Sequence, residues 1–250
     1  MAKIIAIANH KGGVAKTTSC VNIAAALAKM GRRVLLVDVD PQANLTSSFT
    51  DESKIEASIY DAMKGAPAPI MHILENLDLI PSHIDLAGAD MVFSNKIARE
   101  QILKNILDEL KAGYDYIIID TPPALGLVTI NALTAADSVI ISICAETLPL
   151  RGLVMLDEMI GDIAQSINKG LHVSGIIIAK YNRRKLDNAV IEAIREKYGD
   201  KIYKTYVRTC VSAAEAPTYR QSVLDYAPGS TVAEDYRALA KEIDKQDKNK

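Results

Sequence analysis

Residues 11 to 18 read Lys11-Gly12-Gly13-Val14-Ala15-Lys16-Thr17-Thr18, and their types and order suit the holding of a phosphate. Gly12 and Gly13 let consecutive backbone N–H groups turn inward on an anion, Lys16 adds a mobile ammonium, and Thr17 or Thr18 can offer a hydroxyl to Mg²⁺. Acids that suit the same chemistry close two apolar runs further along: Asp38 and Asp40 after Val34 to Val37, and Asp120 after Tyr116-Ile117-Ile118-Ile119. Carboxylates in such places can meet Mg²⁺, its waters, or a water attacking a γ-phosphate. Lys180-Tyr181-Asn182-Arg183-Arg184-Lys185 is the densest basic cluster in the chain. Cations this close together are a footprint of contact with a phosphate backbone, although a solvated loop reads the same way.

These groups need elements to position them. The apolar run Ile4 to Ala8 precedes the glycine-rich stretch and a helical pattern from Cys20 to Lys29 follows it, so strand, turn and helix build a cradle whose helix contributes its positive end. Val34 to Val37, Leu77 to Pro81, Tyr116 to Asp120, Ser138 to Cys144 and Val173 to Ala179 read as strands, mostly buried and parallel. Helical spacing runs from Ile84 to Leu110 through Ile97, Ile102 and Ile106, and again over 129–136, 153–167 and 232–243. Asn44 to His72 is polar, broken by Gly65, Pro67 and Pro69, with one short helical pattern around Ile55 to Met63. The tail from Asp244 to Lys250 is mixed in charge and expected to fray.

The chain has 250 residues, 49% of them hydrophobic, enough for one large core and a single α/β domain over 1–250. A net charge of −2 gives no global basic character, so any contact with nucleic acid or an anionic membrane must be a local patch. Cys20, Cys144 and Cys210 lie far apart without metal spacing, and the four histidines are equally scattered, which suits a reduced cytoplasmic protein without a metal cage. No secretory signal is expected, and no apolar run approaches the roughly 18 residues of a membrane span.

A strict P-loop has glycine six positions before its lysine and another immediately before it, where this chain has His10 and Ala15. A lysine opening the loop, as Lys11 does before Gly12-Gly13, resembles instead the deviant Walker A motif of the ParA/MinD family of dimeric ATPases. That resemblance covers nearly the whole chain. It implies a P-loop NTPase fold, α/β and doubly wound, with a mostly parallel sheet and helices on both faces, and it implies ATP and Mg²⁺ as cofactors. Residues 11–18 would bind the nucleotide, Lys11 reaching that of the partner subunit and acting with Lys16 and Asp40 in catalysis. Asp-x-Asp-Pro-Gln resembles the first switch, in which Asp40 would position the hydrolytic water. Thr17, Asp38 and Asp120 would serve the metal, and Thr121-Pro122-Pro123-Ala124-Leu125-Gly126 resembles the second switch. Ala15 stands where the family commonly has glycine, and its Cβ could loosen phosphate binding.

The resemblance extends to DNA. Arg183, with Arg184 and Lys185 beside it, matches by its spacing the arginine that Soj-type ParA proteins use for nonspecific DNA binding, while Asn182 could instead face adenine. A second arginine of that kind is replaced by Ser212, leaving Arg208 and Arg220 as nearby substitutes. The loop with Glu146 and the helix after Pro149 would line a dimer interface. The implied function is an ATP-dependent homodimer that binds double-stranded DNA nonspecifically, answers to a ParB-type partner and segregates plasmid or chromosome copies. The nucleotide fold begins at once, as in small members without an N-terminal helix-turn-helix. A cytoplasmic, nucleoid-associated protein without membrane contact is expected, since the tail lacks the amphipathic helix of a MinD-like positioner. A MinD-like or other cargo positioner, an ATP-dependent ligase and an electron-transfer ATPase share the cradle and stand as alternatives.

Overall fold

The structure is a computed structural model and describes residues 1–144 and 150–248. Its centre is a seven-stranded sheet in the order β3-β4-β2-β5-β1-β6-β7. The strands are β1 (Lys3–Ala8), β2 (Val34–Asp38), β3 (Met71–Leu74), β4 (Leu77–Ile80), β5 (Tyr116–Asp120), β6 (Ser138–Cys144) and β7 (Val173–Ala179). All neighbours run parallel except the edge hairpin β3–β4. The helices of eight or more residues are α1 (Lys16–Lys29), α2 (Ile102–Leu110), α3 (Leu127–Ala135), α4 (Leu150–Ser166), α5 (Lys185–Tyr198) and α6 (Thr231–Lys248).

Strand alternation divides the apolar residues between two cores. Ile4, Ala6, Leu35, Val37, Ile117 and Ile119 face α2, α3, α4 and α5. Ile5, Ile7, Leu36 and Ile118 face α1 and α6. A strand buried on both faces has no polar side to show, which is why these segments read as unbroken apolar runs.

The sheet brings the candidate acids beside the glycine-rich loop. In the parallel ladder Ile7 of β1 lies beside Asp120 of β5, and Asp120 lies beside Asp38 of β2. The chain leaves β1 for α1 on one face and returns to opposite sides of β1, so the crevice at the carboxyl ends of these strands is the place where open α/β sheets bind ligands.

Three expectations are corrected. The helical spacing from Ile84 to Leu110 does not make one helix: a 3₁₀ turn (Ile84–Gly88) and a single α-turn (Ala89–Val92) come first, Ala98 takes a left-handed φ of 54°, and α2 begins only at Ile102. Ile97 is 94% exposed rather than packed. The break is fixed from another element, because the buried amide of Asn131 in α3 donates to the Arg99 carbonyl and accepts from Leu103 N–H. β3 was not anticipated; it pairs with β4 through a turn in which Asn76 has φ 63°, a conformation asparagine tolerates. The tail does not fray at Asp244. α6 continues to Lys248 because Asp244 is buried and accepts from Arg32 and the Tyr116 hydroxyl, while Gln246 joins the Tyr203 hydroxyl to the Ser174 carbonyl.

Candidate functional site

The loop between β1 and α1 is held from below by β6. The Asn9 side chain accepts from Lys11 N–H at 2.9 Å and donates to the Ser142 carbonyl at 2.6 Å, and Ser142 Oγ donates to the Val14 carbonyl at 2.6 Å. Neither residue stood out in the sequence, since the bonds that tie the loop to β6 span 133 and 128 residues of chain. Gly13 (φ 74°) and Ala15 (φ 63°) are both left-handed. At Gly13 the backbone favours glycine, although a Cβ there would meet nothing within 4 Å. Ala15 takes the same region with a Cβ, at a cost of roughly 1–2 kcal/mol. Its departure from glycine is thus a matter of backbone strain as well as of approach to phosphate.

Lys16 opens α1 and is 7% exposed, its Nζ donating to the Lys11 carbonyl at 3.3 Å. Burial lowers its pKa, opposed by the nearby charges of Asp120 and Asp40. Thr17 Oγ1 donates to Asp120 Oδ2 at 2.6 Å, whereas the other oxygen of this carboxylate, which has the Cys20 thiol beside it, is buried with no hydrogen bond among the described residues. Burial is the main cause that raises the Asp120 pKa, against the Thr17 hydrogen bond and Lys16. The Cys20 thiol, one turn further along α1, is pushed up by burial and then by the Asp120 charge.

Asp38 and Asp40 part company. Asp38 is fully buried: Oδ1 accepts from Asp40 N–H, and Oδ2 from both the N–H and the hydroxyl of Thr46. Thr46 Oγ1 in turn accepts from Ser82 N–H after β4. Burial, and next the charge of Asp120, raise the Asp38 pKa. With both oxygens engaged, Asp38 shapes the 40–46 loop through Asp40 N–H and Thr46. Asp40 instead reaches the wall of a cavity of about 640 Å³.

That cavity is lined by Gly12, Gly13, Ala15, Lys16, Thr17 and Thr18, faces Asp40 and Pro123, and extends under Val207 to Pro217. Its size suits a nucleotide. The residues also fit Mg²⁺: a threonine hydroxyl on the wall is backed by a buried carboxylate with an oxygen to spare, and Mg²⁺ shared with phosphates takes only one or two protein carboxylates or hydroxyls. Pro123 of the second candidate switch is tied to the loop, since the His10 ring nitrogen Nδ1 bonds to its carbonyl at 3.0 Å.

Asn182 is off the cavity wall. Its amide turns back onto the Lys180 carbonyl at 3.1 Å, and Lys180 lines the cavity in its place. The five basic residues expected at DNA separate into two groups. Arg183, Arg184 and Lys185 are exposed and make no ion pair among the described residues. Arg208 is clamped to Asp235 through Nε and Nη2 at 2.7 to 3.2 Å, and Arg220 to Asp51 at 2.6 Å. To meet DNA, these two would exchange a carboxylate for a phosphate. Glu146 and Pro149 lie outside the described residues.

Comparison with known proteins agrees with this geometry. A family described as an AAA domain matches residues 2–173. The sporulation initiation inhibitor protein Soj of Bacillus subtilis is 44% identical, the match covering 97% of this chain and 98% of that protein. The chromosome partitioning protein ParA of Caulobacter vibrioides is 36% identical over 96% of this chain and 93% of its own length. Among solved structures, cobyrinic acid a,c-diamide synthase from Mycobacterium smegmatis with bound ADP and magnesium superposes with a TM-score of 0.85 at 35% identity, covering 96% of this chain and 93% of that one.

Proposed function

The chain belongs to the Soj/ParA family of P-loop ATPases and hydrolyses ATP with Mg²⁺, and we propose that it couples this reaction to the segregation or positioning of plasmid or chromosome DNA. In this reading Gly12 to Thr18 hold the phosphates through backbone N–H groups, the Lys16 ammonium and the α1 N-terminus. Thr17 and Asp120 hold Mg²⁺, which when bound draws charge from the transferring phosphate. Asp40 orients the attacking water and Lys11 serves the nucleotide of a second copy, so the active species is an ATP-bound homodimer. Its partners are nonspecific double-stranded DNA and a ParB-type protein that stimulates hydrolysis, and its place is on the nucleoid. No helix of the described residues is long and apolar enough to cross a membrane.

The observation that carries the DNA part is the exposed set Arg183, Arg184 and Lys185, which makes no ion pair among the described residues and sits at the join of α5 to a loop whose first residue, Lys180, lines the cavity. Dimerisation would bring two such loops together, so duplex binding should require ATP. Its affinity should fall with salt at a log-log slope of about −0.9 for each neutralised phosphate and vary little with sequence. Arg183→Glu is expected to remove duplex binding while ATP affinity and dimer size stay unchanged. Undiminished DNA affinity in an intact Arg183→Glu dimer would reject this loop as the DNA surface.

A second reading is a ligase, because one structural neighbour is an a,c-diamide synthase. ATP turnover that rises with duplex DNA and partner protein separates the two; turnover that needs a small-molecule amide acceptor favours the ligase.

A further inference from the structure

Exposed cations meet a phosphate backbone best when the loop that carries them is already ordered, since ordering on contact is costly. The 180–184 loop is built against its own backbone preference: Lys180 (φ 54°) and Arg183 (φ 60°) are both left-handed without being glycine. Such residues persist where their surroundings over-determine them. Here the determinant is Asp187 in the first turn of α5. Its Oδ2 accepts from Asn182 N–H at 2.7 Å and Arg184 N–H at 3.2 Å, so one oxygen grips the backbone on both sides of Arg183. At the other end the loop is tied to the nucleotide wall, through Lys180 and a backbone bridge between Tyr181 and Arg208.

Asp187 is a costly residue for capping alone. It is 0% exposed, and its Oδ1 is buried without a partner. It also places a negative charge within four residues of the cations a polyanion would meet, which opposes attraction. Charge and geometry therefore predict opposite effects on DNA binding, and this makes the role of Asp187 testable.

We propose that Asp187 is a positioning residue for the basic loop, clamping the amides on either side of Arg183 so that Arg183, Arg184 and Lys185 meet duplex phosphates as one ordered unit. This rests on the DNA reading above and adds to it a residue that touches no phosphate.

The test compares the parent chain, Asp187→Ala and Asp187→Asn, each full length with ATP, by titration of a random-sequence duplex over a salt series. ATP affinity, oligomer size and amide hydrogen exchange at residues 182 and 184 are followed in parallel. Asp187→Ala is expected to weaken duplex binding about tenfold through the two lost hydrogen bonds, to flatten the salt slope by about 0.9 per lost phosphate contact, and to speed exchange at both amides. Asp187→Asn keeps an oxygen for both amides and removes the charge, so it should bind duplex at least as tightly as the parent. If Asp187→Ala binds more tightly than the parent, as charge alone predicts, or keeps the parent affinity and slope, the positioning role is overturned. Should Asp187→Ala fail to fold, Asp187→Asn decides: weaker binding with unchanged amide protection also overturns it. A parent dimer that binds no duplex rejects the DNA reading itself, and this role with it.

Discussion

The phosphate cradle and the basic loop both use cations and left-handed backbone, yet they treat their charges in opposite ways. Lys16 is buried, with Asp120 and Asp40 as its charged neighbours, whereas Arg183, Arg184 and Lys185 are exposed and make no ion pair among the described residues. In a buried site each charge acts at short range through a poor dielectric, so one ammonium decides binding and geometry decides rate. At the surface salt screens the same chemistry over about 10 Å, so affinity accumulates from several weak contacts. Loss of a single group should therefore be severe in the cradle and graded on the loop.

The largest effect is expected from Lys16→Ala, which removes the one buried ammonium facing the polyphosphate and should abolish ATP binding in equilibrium dialysis. Retained binding within tenfold of the parent would show that the backbone N–H groups suffice and that the contrast with the loop is one of degree. Next come two variants that should leave ATP binding intact. Lys11→Ala should lose ATP-dependent dimers in light scattering and lower turnover by about 10³ to 10⁵, the usual worth of a cation supplied across an interface to a transferring phosphate. Normal dimers in that variant would end its role in trans. Asp40→Ala should slow phosphate release by about 10² to 10⁴, the range for a positioned base, and accumulate the ATP-bound dimer. Hydrolysis at the parent rate would move the water-orienting role away from Asp40; Asp38 is the next acid, although its oxygens already serve Asp40 and Thr46.

The smallest effect sharpens the comparison of backbones. Ala15 in the left-handed region costs roughly 1–2 kcal/mol, and glycine there forfeits about 0.4–1 kcal/mol through its more flexible unfolded chain. Ala15→Gly should therefore leave stability unchanged or raise it by up to about 1.6 kcal/mol, which in a thermal melt is a rise in Tm of up to about 6 °C. A fall in Tm would mean that Ala15 is not strained, and that the two left-handed loops differ in more than their charges.

The cradle was legible because its chemistry is contiguous. Lys11 to Thr18 carry glycines, lysine and hydroxyls in an order that states its purpose within one turn of chain. The acids closing β2 and β5 were visible because a fully buried strand ends abruptly at a charge. Unbroken apolar runs likewise marked β1, β2, β5, β6 and β7, and the shorter run from Leu77 marked β4. Where a residue's role depends on a partner far along the chain, local pattern was silent or misleading. Thr17 and Asp120 meet across 103 residues, and Asn9 and Ser142 across 133. The apolar spacing over 84–110 is helical in sequence, yet the Asn131 amide supplies hydrogen bonds that compete with a continuous helix. Arg208, Arg220 and Arg183 look alike as residues; Asp235 and Asp51 pair with the first two, and among the described residues the third makes no ion pair. Composition and periodicity are properties of neighbouring residues and survive in any extended chain, so they could be read directly. Whether a charge is free, paired or buried is a property of the folded contacts, because desolvation and Coulomb energy depend on distances that only the tertiary structure sets.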